Sequence, residues 1–330
     1  MRKLASIQKI DSISAIEGAD RIVCAHVGGW PVVVKAGEFN VGDTIIFCEI
    51  DSWIPNTLAP FLTKDGHSPG EYNGIAGERL RTVKLRGQLS QGLVLPINFV
   101  TADHEVGDDV SEILGITKWE APEEISRNTE AKGSFPQFIK KTDQERVQNL
   151  RKELTEHVGE EFEVTIKLDG SSCTVYRFND MLGVCSRNVD LKDIEGNGFW
   201  GIAKKLSLFD KLNQFGRNLA LQGELIAPNI QSNHENVQKP EWHCFSIWDI
   251  DRQEYLLPED RQAICADLEI PHVPVVDNSF VLNHSCQDLL DMAEGSGMYK
   301  GVQREGLVFK SKTSQFSFKA VANSYLLKKK

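Results

Sequence analysis

Paired cysteines are the first thing this chain of 330 residues lacks. Its seven cysteines, at 24, 48, 173, 185, 244, 265 and 286, form no C-x-x-C pair, which excludes a zinc knuckle and a redox dithiol. An odd, scattered set reads as small buried apolar side chains in a reducing compartment. No apolar run approaches the roughly 20 residues of a membrane helix, so no membrane partner is expected. The basic start, MRKLASIQKIDSIS, has no long apolar stretch behind it. It does not read as a signal peptide, and the expected address is intracellular and cytoplasmic. The eight histidines show neither H-x-E nor H-E-x-x-H spacing, so zinc catalysis has no support, and no P-loop is present to cradle a phosphate. A basic excess is also missing. Net charge is −10, with 12 Lys and Arg against 19 Asp and Glu in residues 1–130 and 25 against 28 in the rest. A polyanion could be met only by a local patch.

What is present is a globular composition. Hydrophobic residues make up 41% and charged residues 25%, enough for a proper core in one large domain or two ordinary ones. The first third alternates β-branched runs with turn signals at Gly28-Gly29, Gly37 and Gly42-Asp43. Short strands with tight turns predict a small barrel, with the OB type as one option, over residues 1–116. Residues 117–132 are polar and aperiodic and read as a linker. Residues 133–330 mix helices and strands, giving an α+β chain overall. Thr142 followed by Glu145 is a capping-box spacing that predicts a helix start there.

The strands of this second part carry charges where apolar residues belong. EVTIKLDG ends a core-type strand with Lys167, then Asp169 and Gly170. Arg187 (in SRN), Glu224 (in GEL), Trp248-Asp249 (in FSIWD), Glu305 and Lys310 (in EGLVFK) and Lys319 (in SFK) follow in order. A charge inside an apolar strand is costly unless it is paired or faces a cleft. Two acids and three lysines placed this way predict one polar pocket between sheets. The other cluster is ERLRTVKLRG, with Arg79, Arg81, Lys84 and Arg86 in the barrel-like part.

These ordered motifs resemble the lysine-dependent nucleotidyltransferases, namely ATP-dependent RNA and DNA ligases and messenger-RNA capping enzymes. GWPVVVKAGEFNVGDTIIFCEIDS, LRGQLSQGLVLP and FPQFIKKTDQERVQNL are similar to the fifth RNA ligase family, which carries an OB domain in front. The resemblance implies an N-terminal OB-type barrel and a transferase domain of antiparallel sheets flanked by helices. It implies ATP and Mg²⁺ (or Mn²⁺) as cofactors, and RNA or an RNA-containing nicked duplex as partner. Lys167 would form the bond to AMP. Asp169, Glu224 and Glu305 would hold the metal. Arg187 would contact the sugar or incoming phosphate, Trp248 would stack on adenine, Lys310 and Lys319 would bind the α-phosphate region, and Arg146 would reach the outer phosphates. Ile166 and Gly170 would line the nucleotide, the glycine by close backbone approach. Some relatives carry a second lysine two residues after the last one, where this chain has Val321.

The chemistry needs a neutral amine, and a free lysine is protonated at pH 7. Burial, Lys319 and a bound metal are expected to lower the pKa of Lys167. Two alternatives stay open at this point. A capping guanylyltransferase shares the lysine chemistry but uses GTP and usually places its OB module last. A catalytically inactive nucleic-acid-binding protein would have lost the lysine or the carboxylates, and this chain keeps them.

Overall fold

The computed structural model describes residues 3–101, 103–120 and 130–328. Its backbone contacts divide the chain into two compact units, residues 1–121 and 122–328. No helix among the described residues is long and apolar enough to cross a membrane.

The first unit is built of short strands. Ala5–Lys9, Thr44–Cys48 and Leu93–Pro96 form one antiparallel sheet, and Ser12–Ile16, Ala19–Val27 and Trp30–Lys35 a second. Alternating residues of the first sheet, Ile7, Ile46, Cys48, Leu93 and Leu95, point into a core closed by Ile54, Leu80, Val110 and Leu114. The start of the expected linker, Thr117–Lys118, is a strand paired with Ser52–Pro55. Residues 121–129 of that segment lie outside the described residues.

In the second unit two sheets face each other. The larger has seven strands in the order Ala131–Ser134, Val189–Leu191, Met181–Cys185, Ser171–Phe178, Leu219–Ile226, Glu241–Asp249, Glu254–Tyr255, all antiparallel. One of its faces is covered by helices Gly198–Lys205 and Leu208–Phe215 over Cys173, Val175, Leu221 and Trp242. The smaller has five strands in the order Glu145–Arg146, Ser317–Val321, Gly306–Ser311, Glu161–Lys167, Val275–Val281. Helix Cys286–Ala293 covers its outer face through Leu289 and Leu290 against Phe162, Val164 and Phe309. The period of two then puts Glu163, Thr165 and Lys167 on the other face. A run spelling G-x-G-x-x-G, Gly196 to Gly201, enters a helix without a strand before it; Asn197 accepts from Phe199 N and Trp200 N as an N-cap, so the glycines serve a helix start.

No helix starts at Thr142. Glu145–Arg146 is instead a short strand, parallel to Ser317–Val321, with Arg146 opposite Lys319. A 3-10 turn follows over Val147–Asn149, and the helix is confined to Arg151–Glu156. Pairing with a central strand has overridden the local cap signal.

Glu160 closes the far end of the smaller sheet. Its carboxylate accepts from Thr313 Oγ1 and Ser314 Oγ at 3.1 Å, from Ser311 Oγ and from His157. Burial alone would raise its pKa, but those hydrogen bonds outweigh it and hold it below the ordinary value. The clasp therefore contributes stability that is complete above the unfolded glutamate pKa and lost as pH falls through the folded one. Glu160→Gln is expected to lower Tm at pH 7 and to approach wild type near pH 4. Paired thermal melts at the two pH values check this; a gap that widened on acidification would contradict it.

Candidate active site

Lys167 ends its strand opposite Gly306, and its Nζ donates to Glu305 Oε2 at 2.7 Å. Asp169 is 7% exposed and Glu305 9%. Burial pulls the Lys167 pKa down, but the carboxylates of Glu305, Glu224 and Asp169 outweigh it and hold it above the ordinary lysine value. This corrects the sequence expectation: in the nucleotide-free protein the amine is a held ammonium. Lys319 Nζ faces Asp143 at 3.5 Å. Glu224 experiences the opposite shift. Burial, with Glu305 and Asp169 adding, pushes its carboxyl up to about 8 against the pull of Lys167 and Arg187.

Gly170 joins the strands. Its N–H donates to Glu224 Oε1 at 3.0 Å, and a Cβ there would lie 2.4 Å from the Leu225 carbonyl oxygen. The close approach of the neighbouring strand by itself requires glycine here. Ile166 is 8% exposed, packs with Leu168, Ile226, Val237 and Val273, and donates its N–H to the Pro274 carbonyl.

Other expected residues are placed differently. Trp248 is 4% exposed in an aromatic cluster with Tyr176, Phe138 and Tyr255. Its Nε1 donates to the Phe138 carbonyl at 3.0 Å and its ring meets Tyr255 edge-on, so it is a core residue without a face for adenine. The aromatics that pack against the cluster of Ile166 and Leu168 are Phe245 and Tyr299. Lys310 does not join the acids around Lys167. It lies opposite Glu163, four residues along the strand, and donates to Ser246 Oγ at 2.6 Å and to the Phe245 carbonyl. Burial and the Arg261 guanidinium bring its pKa down to about 7. Arg187 does stand at the cleft, 3.6 Å from Asp143. Asp143, which bridges Arg187 and Lys319, is a residue that the sequence reading missed.

In the first unit Arg79 drops out of the basic patch. Its guanidinium pairs with Asp51 at 2.7 Å and lies 3.7 Å over the Trp119 ring. Arg81, Lys84 and Arg86 remain exposed, the last two on a hairpin of Val83–Leu85 and Gln88–Ser90.

The donor set can be tested for a divalent ion. Carboxylate oxygens are the ligands that magnesium and manganese take. The acids crowd one ammonium, and the Glu224 carboxyl, raised first by burial and then by Glu305 and Asp169, is a group whose charged form a cation would favour. No three His, Cys, Asp or Glu side chains among the described residues are drawn together as a ready cage. Such a set fits an ion that keeps much of its water, as magnesium does.

A strand-end lysine amid acids, in a cleft between two mainly antiparallel sheets, is the build of a lysine nucleotidyltransferase. The comparisons narrow this class. An RNA ligase family model matches residues 160–321 and an OB-fold domain model matches residues 4–97. Among solved structures, a Naegleria gruberi RNA ligase mutant in the apo state is 48% identical, with a TM-score of 0.94 and coverage of 98% of this chain and 97% of that one. The same ligase with pyrophosphate is 48% identical (TM-score 0.93, coverage 99% and 98%). A lysine-to-alanine mutant of it with ATP and Mn is 47% identical (TM-score 0.93, coverage 98% of each). No curated protein matches. The chain belongs to the RNA ligase family and carries an OB-fold domain in front, which sets aside both the capping enzyme and the inactive binder.

Proposed function

We propose that this ATP-dependent RNA ligase works through Lys167, and that it seals nicks in duplexes with RNA on the 3′-OH side, in the cytoplasm. The observation that carries the assignment of the nucleophile is the Lys167 ammonium held at 2.7 Å by Glu305 among three carboxylates. The ammonium first gives up a proton. Its nitrogen then bonds to the α-phosphorus of ATP, the bond from that phosphorus to the bridging oxygen breaks, and pyrophosphate leaves. AMP passes to an RNA 5′-phosphate, which frees the amine, and a 3′-hydroxyl then displaces AMP to form the phosphodiester. A hydrated magnesium or manganese ion supplies the positive charge that offsets phosphate oxygens and carboxylates. Asp169, Glu224 and Glu305 would hold it. With their charge offset, the bias that keeps Lys167 protonated disappears, and burial, which favours the neutral amine, takes over.

Arg187 and Lys319 would take phosphate oxygens in place of Asp143, a carboxylate that stands between the two cations at 3.6 and 3.5 Å. Arg146, next to Lys319 in register, supports the same phosphate-binding role. The exposed Arg81, Lys84 and Arg86 supply the local positive charge by which an acidic chain meets RNA.

The test is label transfer followed by sealing. The protein is expected to take label from α-labelled ATP and not from GTP, and to seal nicks with a 3′-OH ribonucleotide faster than all-DNA nicks. Equal sealing of the all-DNA nick would overturn the substrate assignment. Replacing Arg81, Lys84 and Arg86 together by alanine should leave self-adenylylation intact, while the salt slope of nick binding falls by about 3, roughly one per phosphate contact.

A further inference from the structure

Between strands Leu219–Ile226 and Glu241–Asp249 the chain makes a tight loop whose side chains reach both halves of the site. The loop is self-supporting. Backbone bonds run from Ile230 N to Ala227 O and from Asn233 N to Ile230 O. Asn233 brackets Val237, accepting from its N–H at 3.0 Å and donating to its carbonyl at 3.1 Å. Gln231, Asn233 and Asn236 have φ of 50°, 50° and 53°, left-handed values that asparagine tolerates better than most residues.

From this frame three bonds leave. Glu235 Oε1 accepts from the Asp169 N–H at 3.2 Å. Gln231 Nε2 donates to the Gly170 carbonyl at 3.4 Å. His234 Nε2 donates to the Gln303 carbonyl at 2.6 Å, two residues before Glu305. Arg304 holds that second segment from the other side, donating to the carbonyls of Met292, Ala293 and Glu294 at 2.6 to 3.1 Å. One loop thus ties the turn that carries Asp169 to the strand entry that carries Glu305.

Glu235 is the costly member. It is 1% exposed, and its second oxygen, Oε2, is buried without a hydrogen-bond partner. An acceptor is spent at this cost only where the N–H it holds must stay fixed.

We propose that Glu235 is a positioning residue for the reaction at Lys167, fixing the Asp169 backbone so that Asp169 and Glu305 stand in register on either side of the amine. This rests on the ligase reading of those acids. Partners that orient metal-holding groups typically change affinity or rate 10–100-fold when removed.

The experiment uses the full chain and compares Glu235→Ala with Glu235→Gln, which keeps an amide-accepting oxygen. Deuterium exchange is followed in the metal-free protein over residues 166–173. The Mn²⁺ concentration for half-maximal self-adenylylation is measured in parallel. Glu235→Ala is expected to speed exchange at the Asp169 amide by about tenfold or more and to raise the Mn²⁺ requirement by about 10–100-fold. Glu235→Gln is expected to restore protection and most of the metal response. The proposal fails if Glu235→Ala leaves exchange or the Mn²⁺ requirement at the wild-type value. It fails equally if Glu235→Gln loses the metal response while the amide stays protected. Should the alanine variant not fold, Glu235→Met, which keeps most of the buried volume and offers no oxygen acceptor, takes its place with the same expected and overturning outcomes. Should the wild type take no AMP on Lys167, the ligase reading falls, and the exchange arm still tests the clamp.

Discussion

Lys167→Met is expected to eliminate the AMP-sized mass increment that ATP and a divalent ion produce on the wild-type protein, with adenylylation falling on the order of 10⁴-fold or more. The effect is this large because the substitution removes the attacking nitrogen itself. Lys319 is 3.5 Å from Asp143, and Lys310, though near neutral, is tied to Ser246 and Phe245 four residues down the strand from the acids. Methionine also removes the cation that offsets Glu305, so loss of the adduct alone would not separate charge from nucleophilicity. Lys167→Arg separates them. Arginine keeps a positive charge beside Glu305 and stays protonated, so the cluster keeps its electrostatics and the nitrogen cannot attack. Both variants should lack the adduct, and the arginine variant should melt closer to wild type. Intact mass after ATP exposure, with thermal melts of the three proteins, reads this directly. An AMP adduct surviving in the methionine variant would place the nucleophile elsewhere.

The acids and the lysine at the centre were legible because charge inside an apolar strand demands a reason, and one cleft satisfies Lys167, Glu224 and Glu305 together. What escaped the sequence was set by partners distant in the chain. Trp248 looked like a stacking ring, but residue type does not say which face of a strand a ring takes. The register shift between Gln222 and Gly223 changes the phase of the facing strand at Phe245, and Trp248 finishes under Phe138. Arg79 belonged to a basic run, yet Asp51 and Trp119 claim it. The Thr142 cap pattern lost to a parallel bridge beside Lys319. Asp143 and Glu235 lie in aperiodic loops, where no spacing rule points to a function. A polar pocket between sheets was readable from the charges in apolar strands, the antiparallel sheets with flanking helices were implied by the family resemblance, and the pairings across the cleft were not legible.

Arg261→Met is expected to cost about 3–5 kcal/mol, the penalty for leaving a buried charge alone. For a chain of this size that corresponds to roughly 10 °C in Tm. Glu163 is 0% exposed and Arg261 1%, and the two form an ion pair joined by Gln262. Arg261 Nε donates to His272 Nε2 at 3.0 Å. That nitrogen must therefore be an acceptor, which leaves the proton on Nδ1, where it meets the Val273 carbonyl at 2.6 Å. The ring is neutral, in keeping with a pKa brought down to about 4 by burial and the guanidinium. Burial would raise the Glu163 pKa, but Arg261 above all holds it low, so the pair's stability is present above the unfolded glutamate pKa and lost as pH falls through the folded one. Without Arg261 the carboxylate must take a proton, and Lys310 is released from the repulsion that helps to keep its pKa near 7. The double replacement Glu163→Leu with Arg261→Met removes both charges and should recover most of the loss, because the single variant suffers mainly from the orphaned partner. Denaturant melts of wild type, Arg261→Met, Glu163→Leu and the double variant give the coupling. A single variant within about 1 kcal/mol of wild type, the range of an exposed pair, would show that the pair is not sealed from water. Since Glu163 sits on the strand that ends in Lys167, a solvated pair there would also remove the dry floor on which the neutral amine depends.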